Sequence, residues 1–130
     1  MTGGLNILHM AQAMATHASD RHGVIANNVA NADTPGFRAR DLVPFADIFT
    51  NSRSNIPMRH SRPGHLADRV TDAFRPPLQS IPTGDAQSPN GNDVALETEM
   101  TKAAETRLQY EMALGIYQKS MNIIRTSLGR

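Results

Sequence analysis

The residues of this 130-residue chain that could do chemistry are five histidines, a group of carboxylates near residue 100 and a run of asparagines near residue 30. His9, His17, His22, His60 and His65 never stand three or four residues apart, and none belongs to a His-Glu-x-x-His pattern. They therefore offer no two-ligand helix face for a metal ion. Glu97, Glu99 and Glu105 could be read as paired acids, but carboxylates at the start of a helix complement its dipole and are expected as surface groups. No Gly-x-Ser-x-Gly elbow, phosphate-cradling glycine loop followed by Lys, or dinucleotide fingerprint occurs. Zero Cys excludes a disulfide framework and a thiolate metal site. The sequence thus presents no catalytic constellation, and neither an enzyme activity, a cofactor nor a metal is expected.

Composition narrows the remaining classes. A net charge of +1 gives no broad basic field, so nucleic acid is not an expected partner. A hydrophobic content of 39%, with 5% aromatic residues and no Trp, is thin for an independent core and points to burial supplied by other chains. No Lys or Arg precedes Arg21, and no apolar run approaches the ~20 residues needed to span a bilayer. Neither a cleaved secretory signal nor a transmembrane segment is expected.

The elements that would position these residues are two helices. From Asp93 to Leu128, apolar residues step by four and three through Leu96, Met100, Ala103, Tyr110, Leu114, Tyr117, Met121, Ile124 and Leu128, with Arg107 the one interruption. Such a repeat specifies a helix of roughly 50 Å that lies along another helix. Acidic residues gather in its first half and Lys119, Arg125 and Arg130 in its second, as the helix dipole favours. From Met112 onward the side away from this seam is also apolar, through Met112, Ala113, Ile116 and Ile123, so one partner cannot cover it.

A second helix is expected from Leu5 to about Ala32, with a narrow seam at Leu8, Ala11, Ala15, Ala18, His22, Ile25 and Val29. Its small residues would let the two axes approach closely while the larger residues of the C-terminal seam fill the space opposite. His22 is expected as a packed histidine within that seam. The helix stops at Asn27, Asn28, Asn31, Asp33, Thr34, Pro35 and Gly36, where Pro-Gly at the centre of four residues favours a type II turn. Asn27, Asn31 and Asp33 are expected to bond the last carbonyls of the helix and the turn.

Ala-Asn-Asn-Val-Ala-Asn-Ala-Asp-Thr-Pro-Gly-Phe-Arg-Ala-Arg-Asp-Leu, residues 26–42, together with a C-terminal heptad helix, resembles the flagellar rod, hook and hook-filament axial protein family. Gly91-Asn92-Asp93-Val94, Glu99-Met100 and Leu108-Gln109-Tyr110 extend the likeness, which covers about half the chain and is nearest to the short proximal-rod members. The chain departs from the usual pattern at Ala95, where Asp is common, at Thr106, where Asn is common, and at Phe37, where Tyr is more usual. The resemblance implies a subunit of the proximal rod of the bacterial flagellar basal body, in the periplasm. It implies as partners further copies of the chain, the rod proteins FlgC and FlgF, and the adaptor FliE near the MS ring. It also implies export by the flagellar type III apparatus with an uncleaved N-terminal signal.

The expected fold is mainly α. Residues 1–34 and 93–130 form long helices paired as a coiled coil, and residues 35–92 form an irregular, partly β middle segment. That middle carries too many prolines for long helices, from Pro44 to Pro89. Phe45, Ile48 and Phe49 suit one face of a short helical turn, and 56–58 or 66–70 would supply short strands. Seven Arg against four Asp between Arg38 and Arg75 read either as a solvated linker or as contacts to acidic surfaces of neighbouring subunits. Asn92 or Asp93 is expected to cap the C-terminal helix. The leading function is a structural subunit that self-assembles into a helical tube. The alternative is a soluble coiled-coil adaptor or chaperone.

Overall fold

The computed structural model describes residues 2–54, 80–82 and 88–129. In order it contains α1 (Thr2–Ala30), β1 (Arg40–Leu42), α2 (Phe45–Ser54), β2 (Ser80–Pro82) and α3 (Leu96–Ser127). The two long helices pack against each other along their length. They run antiparallel, because the end of α1 is bonded to the chain that enters α3.

The packing of α1 explains its alanines. Ala11, Ala18 and Ile25 recur every seven residues and are buried, Ala18 and Ile25 at 1% and 2% exposure. The two alanines leave room for a helix axis to come close, and Ile25 fills the seam near its end. The stripe is completed at its intervening positions by Arg21 and Asn28, one step away from the expected His22 and Val29. His22 and Val29 are exposed. Their three-and-four spacing selected them, whereas polar residues with partners inside the fold hold the inner phase. His17 is the buried histidine, and its Nε2–H donates to the Val43 carbonyl at 2.8 Å, which fixes the ring proton on that nitrogen.

α3 turns its small and polar residues inward. Glu99, Thr106 and Ala113, again seven apart, are its buried positions. Thr106 closes its hydroxyl onto the Lys102 carbonyl at 2.7 Å. The helix starts three residues later than Asp93, and its N-cap is Ala95, which makes no side-chain cap bond. Neither Asn92 nor Asp93 is the cap, and Ala95, where Asp is common in the resembling family, leaves the first-turn amides without a side-chain partner.

Between the helices the chain reverses at Thr34–Phe37, where the Phe37 amide donates to the Thr34 carbonyl and Gly36 has φ 72°. Gly91 sits against it with φ 77°, and a Cβ there would lie 3.6 Å from the Gly36 Cα. The left-handed backbone favours glycine at both positions. β1 then pairs antiparallel with β2, Asp41 opposite Ile81. The strands expected at 56–58 and 66–70 lie outside the described residues. α2 is longer than the expected single turn, with Phe45, Ile48 and Phe49 half-buried. His17 meets Phe45 at 5.7 Å between ring centroids, and Phe45 stacks on Phe49.

Candidate functional site

Where α1, β1 and α3 meet, a set of buried polar groups satisfies itself. Asn28, 1% exposed on the last turn of α1, donates from Nδ2 to the Arg40 carbonyl at 2.6 Å and to Glu99 Oε2 at 2.9 Å. Its Oδ1 accepts from the Arg40 amide at 3.2 Å. The side-chain amide therefore stands in for a neighbouring strand along the open edge of β1, and it ties that edge to α3 in the same gesture. Glu99, also 1% exposed, takes a second bond from Lys102 Nζ at 2.9 Å. The expectation that Glu99 is a surface group is thus corrected: its position on the inner stripe, with an amide and an ammonium as partners, keeps a carboxylate inside the fold.

Beside it, Arg21 grips Asp41 through two bonds, Nε to Oδ1 at 2.8 Å and Nη2 to Oδ2 at 2.9 Å. The Leu42 amide donates to the same Oδ1 at 2.8 Å. Burial works against charge on Asp41, but the hydrogen bonds from Arg21 and Leu42 and the guanidinium charge outweigh it and hold the carboxyl below its ordinary range. The hydrogen bond to Asp41 raises Arg21 in turn, against the cost of its own burial. Bidentate geometry makes this pair stronger than an exposed one.

Asn92 is used in a way the sequence did not disclose. It was expected to cap α3, but its Nδ2 reaches the carbonyls of Asn31, Ala32 and Thr34 at 3.0, 2.7 and 2.8 Å. It therefore closes the C-terminal end of α1 from the far side of the chain. Its Oδ1 accepts from the Val94 amide, and the Asp93 amide donates to the Phe37 carbonyl. Asn31 does bond back to the Asn27 carbonyl at 2.8 Å and receives the Thr34 hydroxyl at 3.2 Å. Asn27 and Asp33 are exposed, and their side chains make none of the bonds expected of them.

The expected assembly residues divide between inside and outside. Ala11, Ala18 and Ile25 are buried between the helices, while Leu8, Ala15, Ala103, Met121 and Ile124 are half-buried. Leu96, Met100, Tyr110, Leu114, Tyr117 and Leu128 are exposed, from 39% at Leu114 to 69% at Leu128. Leu108, Met112 and Ile123 are exposed as well. With about 100° between successive residues, these side chains form two apolar flanks, one roughly 40–100° to one side of the buried stripe and the other roughly 80–160° to the other side. One flank holds Leu96, Met100, Tyr110, Leu114 and Tyr117; the other holds Leu108, Met112 and Ile123. Among the described residues no group of His, Cys, Asp and Glu could hold a metal ion, and no helix is long and apolar enough to cross a membrane.

The sequence that builds this helix pair is similar to known proteins. The family described as flagella basal body rod protein matches residues 8–38, which run from α1 through the turn and include Asn28. The flagellar basal body rod protein FlgB of Agrobacterium fabrum is 32% identical over 111 residues, covering 83% of this chain and 81% of the relative. The chain belongs to the FlgB family of flagellar basal body rod proteins. The FlgB of Escherichia coli is 30% identical over 132 residues, covering 92% of this chain and 93% of its own. That of Bacillus subtilis is 28% identical over 113 residues, with 87% and 85% covered. Membership in the FlgB family makes the chain a structural subunit of the flagellar basal body rod, and that rod is its location. The FlgB relatives give no support to a soluble adaptor or chaperone.

Proposed function

We propose that this subunit builds the proximal part of the rod by packing the two apolar flanks of α3 against different neighbours, forming a helical tube that transmits torque. The observation that carries this reading is the pair of flanks itself. A single partner on one side would leave the other side in water, and exposed apolar surface of this extent marks an interaction site. Two different surfaces, each meeting a neighbour through a rotation that does not close, generate an open helical assembly. Its neighbours are then further copies of the chain, the rod proteins FlgC and FlgF beyond it, and the adaptor FliE at the membrane ring. It reaches the periplasm through the flagellar type III export apparatus with its N-terminus uncleaved, and it performs no catalysis.

Leu114→Asp tests the reading. The substitution puts a charge in the middle of one flank, between Tyr110 and Tyr117, at a position 39% exposed in the single chain. Burying it against a neighbour would cost several kcal/mol at each copy, on the order of the 2–7 kcal/mol charged to an unpaired polar group. The variant is expected to be exported and stable yet absent from purified basal bodies, leaving cells without filaments. Glu111→Ala, on the same helix, removes only an exposed pair with Arg107 at 3.1 Å and is expected to swim normally. Normal filaments in the Leu114→Asp strain would show that this flank is not an assembly surface.

A further inference from the structure

Beside the Pro-Gly turn, Val24, Asn27 and Asn28 of α1 and residues 36–38 and 40 line an open groove. Asn27 stands two residues past the buried Ile25, about 200° round the helix, and so faces outward. Ala39 is buried at 1% exposure, and in extended chain this sends Arg38 and Arg40 together to the opposite, exposed side. Neither guanidinium has a hydrogen bond or ion pair among the described residues, in contrast to Arg21 and Arg107. Two unpaired guanidiniums in one groove form a receptor for carboxylates.

The matching carboxylates lie on a different surface of the same molecule, at the start of α3. Glu97 is two residues before the buried Glu99, so it points about 200° away from α1, and its carboxylate is exposed with no ion pair among the described residues. Glu105, two turns further on, is exposed on the adjoining face, with Thr101 between them. Groove and carboxylates also share one end of the molecule, since Asn92 fastens the entry of α3 to the end of α1. In a polar tube all subunits point the same way, which keeps like ends of adjacent copies at similar heights.

Resting on the self-assembling rod subunit proposed above, we infer that the Arg38/Arg40 groove of one copy receives the Glu97/Glu105 face of the next copy of this chain. Two different surfaces of one molecule with complementary charge define a head-to-tail contact that propagates when its rotation does not close. The arginines select the partner and its register. The apolar flanks supply the burial.

The chain has no cysteine, so a pair introduced at the contact reports on it without background. Asn27→Cys and Thr101→Cys, combined in one chain, leave all four charges in place, and a disulfide closed within one molecule would run as monomer, distinct from a linked dimer. Oxidation of flagellated cells carrying the double variant is expected to give disulfide-linked dimers and higher multimers of this chain, which either single variant lacks. Monomer alone, or a dimer formed by a single variant, in cells whose basal bodies contain the chain would overturn the contact. A second arm reverses the charges: Arg38→Glu with Arg40→Glu, and Glu97→Arg with Glu105→Arg, are each expected to abolish swimming, and the four together to restore it. Loss in each without restoration, or no loss in either, would equally overturn the contact. Absence of the unsubstituted chain from basal bodies would instead refute the rod assignment, which keeps the two failures distinct.

Discussion

The inner and outer faces of α3 are built on opposite plans. Its inner stripe, Glu99, Thr106 and Ala113, is polar or small and fully buried, whereas Leu96, Met100, Leu114 and Tyr117 stand outside with 39% to 64% of their surface in water. A monomeric protein would be expected to reverse this arrangement. The difference separates two tasks. Polar groups that must each find a partner fix the register of α1 against α3, as a lone buried polar residue does in a coiled coil. Apolar side chains, which impose no such register, are left for contacts made only on assembly.

The comparison breaks first if the inner face is not what holds the single subunit together. Asn28→Ala removes three hydrogen bonds, strands Glu99 Oε2 in the interior and leaves both part-buried backbone groups of Arg40 without that partner. It is expected to destabilise the subunit by about 3 kcal/mol, read as a shift in the urea midpoint at unchanged slope. A loss under about 0.5 kcal/mol would mean that the hub contributes no more than an ordinary surface group.

A smaller effect, and one that depends on pH, is expected at Asp41. Its carboxyl titrates below the ordinary range in the folded chain, so the unfolded chain takes up a proton first as pH falls. The stability that the Arg21 pair contributes is therefore complete above the unfolded value of about 4 and is lost as acidity passes below the folded one. Asp41→Asn is expected to cost about 2 kcal/mol at neutral pH and nothing at the acid end, flattening that part of the profile. Urea unfolding at a series of pH values would measure this, and parallel profiles for the two proteins would contradict it.

The smallest effect sharpens the contrast from the other direction. Ala95→Asp restores the missing cap at the start of α3 without touching either face, and the helix should gain about 1 kcal/mol. Thermal unfolding should show the rise while swimming stays normal. A stabilised subunit that no longer assembles would show that the loose entry of α3 is itself needed in the rod.

How much of this was legible in the sequence follows from the same contrast. The 4-3 repeat disclosed both helices, and Pro35-Gly36 disclosed the reversal, because apolar period and turn chemistry are local signals. The inner phase of the pair was not legible from apolarity, since its key positions are Arg21, Asn28, Glu99 and Thr106. Their partners lie up to 71 residues away, as Asn28 and Glu99 do, and no local pattern announces such a distance. Asn92 misled for a related reason: Asn ahead of a helix is ordinary N-cap chemistry, and only the folded chain brings the carbonyls of Asn31, Ala32 and Thr34 within its reach. One signal could have helped. Asp41 and Arg21 flank the Asn-rich motif, and an acid that follows Arg38 and Arg40 invites a search for its cation.

The central claim is that the outer flank of α3 is covered by neighbours in the rod and not by its own chain. The two tyrosines of the sequence, Tyr110 and Tyr117, both stand on that flank at 41% exposure, so they report on it without any substitution. Hydroxyl-radical footprinting of the purified subunit in dilute solution and of intact basal bodies, read by mass spectrometry at these two residues, is the direct measurement. Strong oxidation of both rings in solution and protection of both in basal bodies is the predicted result. Equal oxidation in the two states would contradict the account.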